Sequence, residues 1–238
     1  MNRFLKLIAV LAAVCLVSCE KNSGALFTNA SFFGEVQGNT IIVNGTNKYV
    51  VTEDETDAGW QKNKRNFFQA DVLNKSEDGG SYTLRIKSYS KVDIREVLTK
   101  GIDDPEVYGS DAACMFEDWG LNPSTGLFDI SYLVTFKPES ETEHTVDLVF
   151  DPVRSKQDTI FFELHHNAFG ESFENEEIET SKLATGIGYT TFNMKPVLNN
   201  ILGDSVVISI EWDWFKQSGE AISRETEHKQ ACGTVKLK

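Results

Sequence analysis

The sequence predicts an all-β protein in which a small barrel precedes an antiparallel β-sandwich. Short apolar or alternating runs recur along the chain, and glycine, asparagine and aspartate separate them at close intervals. This pattern is typical of strands joined by tight turns. A hydrophobic content of 40% is sufficient for a packed core.

The N-terminus has the features of a secretion signal. Arg3 and Lys6 precede an apolar run from Leu7 to Val17, which is too short to span a membrane. The sequence that ends this run at Cys19 resembles a bacterial lipobox. We predict a lipoprotein signal peptide over residues 1–18, a lipidated tether over residues 19–30, and membrane attachment through acyl chains on Cys19. A plain secretory signal with an incidental cysteine is the alternative.

The charge of the chain limits its partners. The formal net charge is −13, and removal of Arg3 and Lys6 with the signal makes it −15. A chain this acidic is not expected to bind nucleic acid or to bind anionic lipid by charge. No motif in the sequence indicates a cofactor.

The first half of the mature chain predicts a barrel. About five strands lie between residues 31 and 95, and the best of them alternates, with Leu84 and Ile86 on one face. Five strands of this length suit a small OB-like barrel. Glycines and Pro105 then interrupt the pattern, which places the barrel domain at residues 31–105.

The second half, residues 106–238, predicts a β-sandwich. Seven or so strand signals are separated by turns at regular intervals. These are "ACMFEDWGL", "LFDISYLVTF", "HTVDLVFD", "DTIFFELHHNA", "IGYTTFNMK", "SVVISIEWDWF" and "ACGTVKLK". The segment "PVLNNILGD" predicts one or two helical turns, because proline stands near its start and glycine at its end.

The order of these features resembles one family. The alternating strand and "VLTKG" of residues 82–101, the "HTVDLVF" and "ELHHNAFGE" segments of residues 144–170, and "GYTTFN" from Gly188 to Asn193 are similar to the NigD-like lipoproteins of Gram-negative bacteria. The resemblance implies an N-terminal OB-like domain and a C-terminal β-sandwich. It implies no established activity and no functional residues; the family name comes from a bacteriocin gene cluster.

The segment "FFELHHNAFGES" contains two adjacent histidines. Neighbouring side chains on a strand point to opposite faces, so His165 and His166 are not expected to share a metal ion. His166 falls on the apolar face, where it would hydrogen-bond nearby turn backbone. His165 falls on the other face with Glu163, and these two residues are candidate ligand-binding residues. We predict no metal site.

A tryptophan and two cysteines are further candidates. Trp60 lies in a polar context, which predicts an exposed side chain that could bind a ligand. Cys114 and Cys232 remain after Cys19 takes lipid, and outside the cytoplasm they could form a disulfide. Two unpaired thiols are the alternative.

No catalytic residues can be assigned from the sequence. It lacks nucleophile-elbow, zinc-protease and phosphate-loop motifs. We therefore predict a cell-envelope lipoprotein of the outer membrane, on its periplasmic face or at the cell surface, that is not an enzyme. It would act as a binding or assembly module with an envelope protein or glycan partner. The alternative is a glycan-handling or other hydrolytic enzyme.

Overall fold

The computed structural model describes residues 25–43, 45–77, 79–103, 108–109, 112–172, 182–218 and 221–237. The described residues contain fourteen strands, which form one closed barrel and two sheets. The chain divides into two compact units, residues 1–89 and residues 90–238. This all-β architecture confirms the predicted fold class.

The first unit is the predicted OB-like barrel. Its strands follow the order β1-β2-β3-β5-β4 around a closed sheet, and β3 runs parallel to β5. Their bounds are β1 (Phe27–Gln37), β2 (Thr40–Val43), β3 (Asn47–Asp54), β4 (Arg65–Lys75) and β5 (Ser81–Lys91).

The barrel encloses a core that includes Trp60, contrary to the prediction. Trp60 belongs to a short 3-10 helix, Gly59–Lys62, and its side chain is 0% exposed. Its indole Nε1 donates a hydrogen bond to Asp54 Oδ2 at 2.8 Å, and its ring packs edge-on against Phe68. The polar residues around Trp60 therefore supply a hydrogen-bond partner for a buried side chain, and the prediction of an exposed ligand-binding Trp60 is wrong.

The second unit is the β-sandwich. One sheet has the order β14-β13-β11-β10-β7 and the other has the order β6-β12-β9-β8. Their bounds are β6 (Asp93–Glu96), β7 (Leu98–Thr99), β8 (Cys114–Asn122), β9 (Leu127–Phe136), β10 (Thr145–Asp151), β11 (Thr159–Asn167), β12 (Ala184–Asn193), β13 (Ser205–Ser218) and β14 (Ala221–Lys236). The predicted helical turn is present as a short helix, Lys195–Leu198, after β12.

The boundary between the units lies earlier than the predicted division at residues 105 and 106. Strand β6 pairs in parallel with β12, and β7 pairs in parallel with β10, so residues 93–99 belong to the sandwich. The glycine signal at Gly101 therefore marks a turn within the sandwich unit, and Pro105 lies outside the described residues.

The sandwich core lies between the two sheets. Alternate residues of β11 point inward, as its period-two pattern predicted. Ile160, Phe162 and Leu164 join the core, and β13 contributes Val206 and Ile208. The opposite face of the same sheet presents Glu163 and Glu211, which belong to the candidate site.

The lipobox and Cys19 lie outside the described residues. Strand β1 begins at Phe27, so residues 27–30 of the predicted tether belong to the barrel. In the part of the chain that the structure describes, no helix has both the length and the apolar character needed to cross a bilayer.

Candidate functional site

A pocket lies beside the point where two neighbouring strands stop pairing. Strands β11 and β13 pair in parallel from Thr159 with Val207 to Glu163 with Glu211. Both strands continue beyond this point, but β11 next forms an isolated bridge between His166 and Ala112. A pocket of about 100 Å³ opens here, which is room for several water molecules.

Most of the residues that line this β11–β13 pocket can form hydrogen bonds. Strands β11 and β13 supply three residues each and β14 supplies one. Cys114 at the start of β8 and Ala112 just before this strand complete the wall. The lining residues are Glu163, Leu164, His165, Glu211, Trp212, Asp213, His228, Ala112 and Cys114.

A cation from outside the pocket holds each of the two glutamates. Lys100 Nζ lies 2.6 Å from Glu163 Oε1. The Arg154 guanidinium donates two hydrogen bonds to Glu211, at 2.5 and 2.6 Å. These hydrogen bonds hold the pKa of the Glu211 carboxyl below its ordinary value. Glu211 is therefore an ionised hydrogen-bond acceptor at neutral pH.

The loop between β10 and β11 places Arg154. Asp151 Oδ1 accepts hydrogen bonds from the backbone N–H groups of Val153 and Arg154, at 3.0 and 3.1 Å. The guanidinium also lies over the ring of Phe161, 4.6 Å from its centre. The bidentate pair, the stacked ring and the fixed loop together define the position of the Arg154 side chain.

His228 lies at the exposed side of the pocket and bridges two carboxylates. Its Nδ1 is 3.1 Å from Asp213 Oδ1, across the antiparallel β13–β14 pair. Its Nε2 is 3.5 Å from Glu211 Oε2. A protonated His228 would therefore neutralise part of the acidic charge of the pocket.

Two residues that line the pocket each have a nitrogen atom without a hydrogen-bond partner among the described residues. These atoms are His165 Nδ1 and Trp212 Nε1, and both are buried. The other nitrogen of His165 lies 3.3 Å from Glu163 Oε2, and its ring packs edge-on against Tyr108. A buried unpaired polar group costs about 1–3 kcal/mol, so a ligand atom that paired with either nitrogen would be stabilised.

The structure brings Glu163 and His165 together on one face of β11, as the alternation predicted, while His166 is buried on the other. His166 Nδ1 lies 3.3 Å from the carbonyl oxygen of Ala113, so its backbone partner belongs to the segment that enters β8. The ligand-binding role of Glu163 and His165 stays a prediction.

The structure does not contain the Cys114–Cys232 disulfide that the sequence left open. Both thiols are free; Cys114 is buried, whereas Cys232 is exposed. They lie in different sheets, on β8 and β14. The Cys232 Sγ is near Ser209 Oγ at 3.4 Å, and burial raises the pKa of the Cys114 thiol.

The cations and the second strand of the site were not predicted from the sequence. Strict alternation of Glu211 and Asp213 with Trp212 and Trp214 does indicate a polar face on β13. Only the sheet order, however, shows that this face adjoins Glu163. Among the described residues, no group of three or more histidine, cysteine, aspartate or glutamate residues is arranged to hold a metal ion.

The fold and the site define a two-unit all-β protein with a polar pocket in its C-terminal sandwich. Residues 95–218 match the NigD-like C-terminal beta sandwich domain, which is more than half of the chain. The chain therefore belongs to the NigD-like family.

Several solved structures share this fold at low sequence identity. A NigD-like immunity protein from Bacteroides caccae has a TM-score of 0.59 and 13% identity, over 84% of this chain and 91% of that chain. A predicted lipoprotein from Bacteroides fragilis has a TM-score of 0.59 and 12% identity, over 89% of this chain and 99% of that chain. A protein of unknown function from Bacteroides vulgatus has a TM-score of 0.57 and 15% identity, over 88% of this chain and 91% of that chain. No functionally curated protein matches the chain.

Proposed function

We propose that this chain is a non-catalytic binding protein of the cell envelope that holds a hydroxyl-rich ligand, an envelope glycan, in the β11–β13 pocket. The observation that supports this ligand class is that residues with unsatisfied nitrogen atoms and residues with carboxylate groups line the same pocket. Trp212 Nε1 and His165 Nδ1 have no partner among the described residues, and Glu163 and Glu211 lie beside them. A sugar hydroxyl both donates and accepts hydrogen bonds, so neighbouring hydroxyls can satisfy both kinds of group.

The charge balance of the pocket favours a neutral ligand over a simple cation. Glu163 and Glu211 are each paired with Lys100 or Arg154. Asp213, the third acid, lies beside His228. A cation would compete with partners that already occupy these oxygens at short distances, whereas a hydroxyl needs only a remaining lone pair.

The ion pair between Arg154 and Glu211 argues for ligand binding over hydrolysis. An acid that protonates a leaving glycosidic oxygen needs a raised pKa, but Arg154 lowers the pKa of Glu211. Burial does raise the pKa of Asp147, on β10 opposite His165, although Arg95 at 2.6 Å opposes the shift. Asp147 does not line the pocket, so we assign the pocket acids to ligand recognition.

The proposed envelope location depends on the lipobox at Cys19. It is supported by the predicted lipoprotein from Bacteroides fragilis, which has the same fold. Attachment to the outer membrane by acyl chains on Cys19 is part of the proposal. Metabolic labelling of cells with an alkyne-tagged fatty acid tests it: the wild-type chain would incorporate the tag, and Cys19→Ala would not. Equal labelling of both would contradict the anchoring.

A glycan array tests the ligand class. Full-length protein in detergent would be applied to a printed array of bacterial envelope and animal glycans. We expect the wild-type protein to bind a subset of these glycans. Trp212→Phe should lose this binding because it removes an N–H donor, and Glu163→Gln should lose it because an amide NH2 donor replaces a carboxylate oxygen acceptor.

Trp214→Phe is the matched control for Trp212→Phe. The Nε1 atom of Trp214 is also buried without a partner among the described residues, but Trp214 does not line the pocket. The control variant should retain glycan binding with a similar change in stability. The proposal is wrong if no glycan binds, or if both tryptophan variants bind equally. Capture of an envelope protein through the same residues would instead identify a protein ligand.

A further inference from the structure

A second recess lies at one end of the sandwich, between the loop joining β10 to β11 and the segment that follows β12. It has a volume of about 320 Å³, which is within the range of small-molecule sites. The lining residues are Phe150, Pro152, Ser155, Lys156, Gln157, Ile160, Val197, Asn200 and Ile201. None of them belongs to the β11–β13 pocket, so this recess is independent of the function proposed above.

The floor of the recess is an open part of the hydrophobic core. Ile160 and Val197 are members of the buried cluster between the sheets, at 1% and 7% exposure. Phe150 and Ile201 pack against this cluster but are only partly buried. An apolar group that entered the recess would therefore remove Phe150 and Ile201 from water, and this burial would favour binding.

Hydrogen bonds within each wall fix the shape of the recess. On the loop side, Ser155 Oγ donates to the carbonyl oxygen of Asp151 at 2.6 Å and accepts from the backbone N–H of Phe161 at 2.9 Å. On the other side, Asn200 Nδ2 donates to the carbonyl oxygen of Pro196 at 3.0 Å. These hydrogen bonds hold both walls in place, and small-molecule sites are usually largely pre-formed.

Among the described residues, Lys156 is the one charged residue in the lining. Its side chain is exposed and forms no ion pair with any described residue. The nearest acid in sequence, Asp158, is exposed and bonds Thr159 Oγ1 through Oδ1 at 3.2 Å. A single ammonium group at the rim of an apolar recess is complementary to a ligand with an apolar body and one anionic end.

We infer that this recess binds an amphiphile that has one acyl chain and a terminal carboxylate. The chain lies on Phe150, Ile160, Val197 and Ile201, and the carboxylate pairs with Lys156. The polar side chains of Gln157 and Asn200 at the rim accommodate the water around the carboxylate.

Photocrosslinking tests this site. Full-length protein in phospholipid vesicles would be exposed to a diazirine-bearing fatty acid, irradiated, digested and analysed by mass spectrometry. Adducts are expected in the segments 150–160 and 197–201. Ile201→Trp should abolish them by filling the recess, whereas Leu202→Trp should not, because Leu202 is 76% exposed and does not line the recess.

The headgroup is tested separately, with variants that do not alter the core. Lys156→Gln should reduce labelling by the acid about threefold, as expected for loss of one exposed charge pair. Lys195→Gln, an exposed lysine outside the lining, should leave labelling unchanged. The methyl ester of the probe should label wild type and Lys156→Gln equally.

Three results would overturn the inference. Adducts absent from both segments in the wild type, or equally abundant in Ile201→Trp, would show that no acyl chain occupies the recess. Equal labelling by acid and ester would show that Lys156 does not recognise a carboxylate. Circular dichroism of each variant would confirm that lost labelling is not lost folding.

Discussion

Glu163 of β11 and Glu211 of β13 lie side by side across a parallel strand pair. Like charges so placed destabilise a sheet. Lys100 offsets the charge of Glu163, and Arg154 offsets that of Glu211 through two hydrogen bonds. The two cations therefore stabilise the sheet at the place where the pocket opens.

Replacement of Arg154 should destabilise the sandwich. Arg154→Met keeps an apolar stem over Phe161 but leaves the Glu211 carboxylate, whose side chain is 11% exposed, without its main partner. We expect a loss of about 1–3 kcal/mol in the free energy of unfolding, measured by urea denaturation. Lys216→Met is the control, because its partner Glu225 is 73% exposed and such a pair contributes at most about 1 kcal/mol. Equal losses would contradict this account of Arg154.

The effect of Arg154→Met should depend on pH. Because Arg154 lowers the pKa of folded Glu211 below its unfolded value of about 4.3, the ion pair contributes fully above that pH. The contribution is lost as the pH falls through the still lower folded pKa. The difference in stability between wild type and Arg154→Met should therefore be constant near pH 7 and shrink below about pH 4. A difference that grew on acidification would show that another group dominates.

The two described cysteines should differ in reactivity. Cys232 is exposed, whereas Cys114 is buried and burial raises the pKa of its thiol. Because the thiolate is the reactive form, a maleimide should label Cys232 in the folded protein and Cys114 only after denaturation. Peptide mapping by mass spectrometry separates the two sites. Native labelling of Cys114, or protection of Cys232 until a reductant is added, would contradict the free-thiol structure.

The sequence was sufficient to predict the faces of individual strands. Period-two alternation placed Glu163 and His165 together and separated His166 from them, and the structure has this arrangement. Alternation is a local property of the extended backbone, so it can be read without knowledge of the neighbouring strands.

The same reasoning could not predict the partners across the sheet. Glu163 and Glu211 are 48 positions apart in the sequence, and their proximity depends on the parallel pairing of β11 with β13. Strand β7 has only two residues, Leu98 and Thr99, which is too short to show any periodicity. For this reason the domain boundary predicted from the sequence, at residues 105 and 106, lies later in the chain than the observed boundary.

Trp60 shows how local polarity can mislead. Its polar neighbours suggested exposure, but Asp54 accepts its indole hydrogen bond within the folded barrel. Trp60→Ala should therefore destabilise the barrel by about 3–5 kcal/mol, as expected for removal of a buried aromatic side chain. Phe27→Ala is the control, because Phe27 is 46% exposed, and it should change stability much less.

Hydrogen–deuterium exchange of barrel peptides measures this effect. Amides of β4 and β5 should exchange faster in Trp60→Ala than in the wild type, and those of Phe27→Ala should remain close to the wild type. Unchanged protection in Trp60→Ala would show that Trp60 does not support the barrel core.

The parallel pairing of β6 with β12 and of β7 with β10 has a consequence for how the sandwich forms during synthesis. Glu96 on β6 bonds Asn193 on β12, 97 residues later, and β7 pairs with β10. The strands that follow directly after the barrel must therefore wait for distant partners, which makes closure slow. A fragment that started at residue 106 would lack both strands. The edges of β10 and β12 would then be open to pairing between molecules, and the fragment would tend to aggregate.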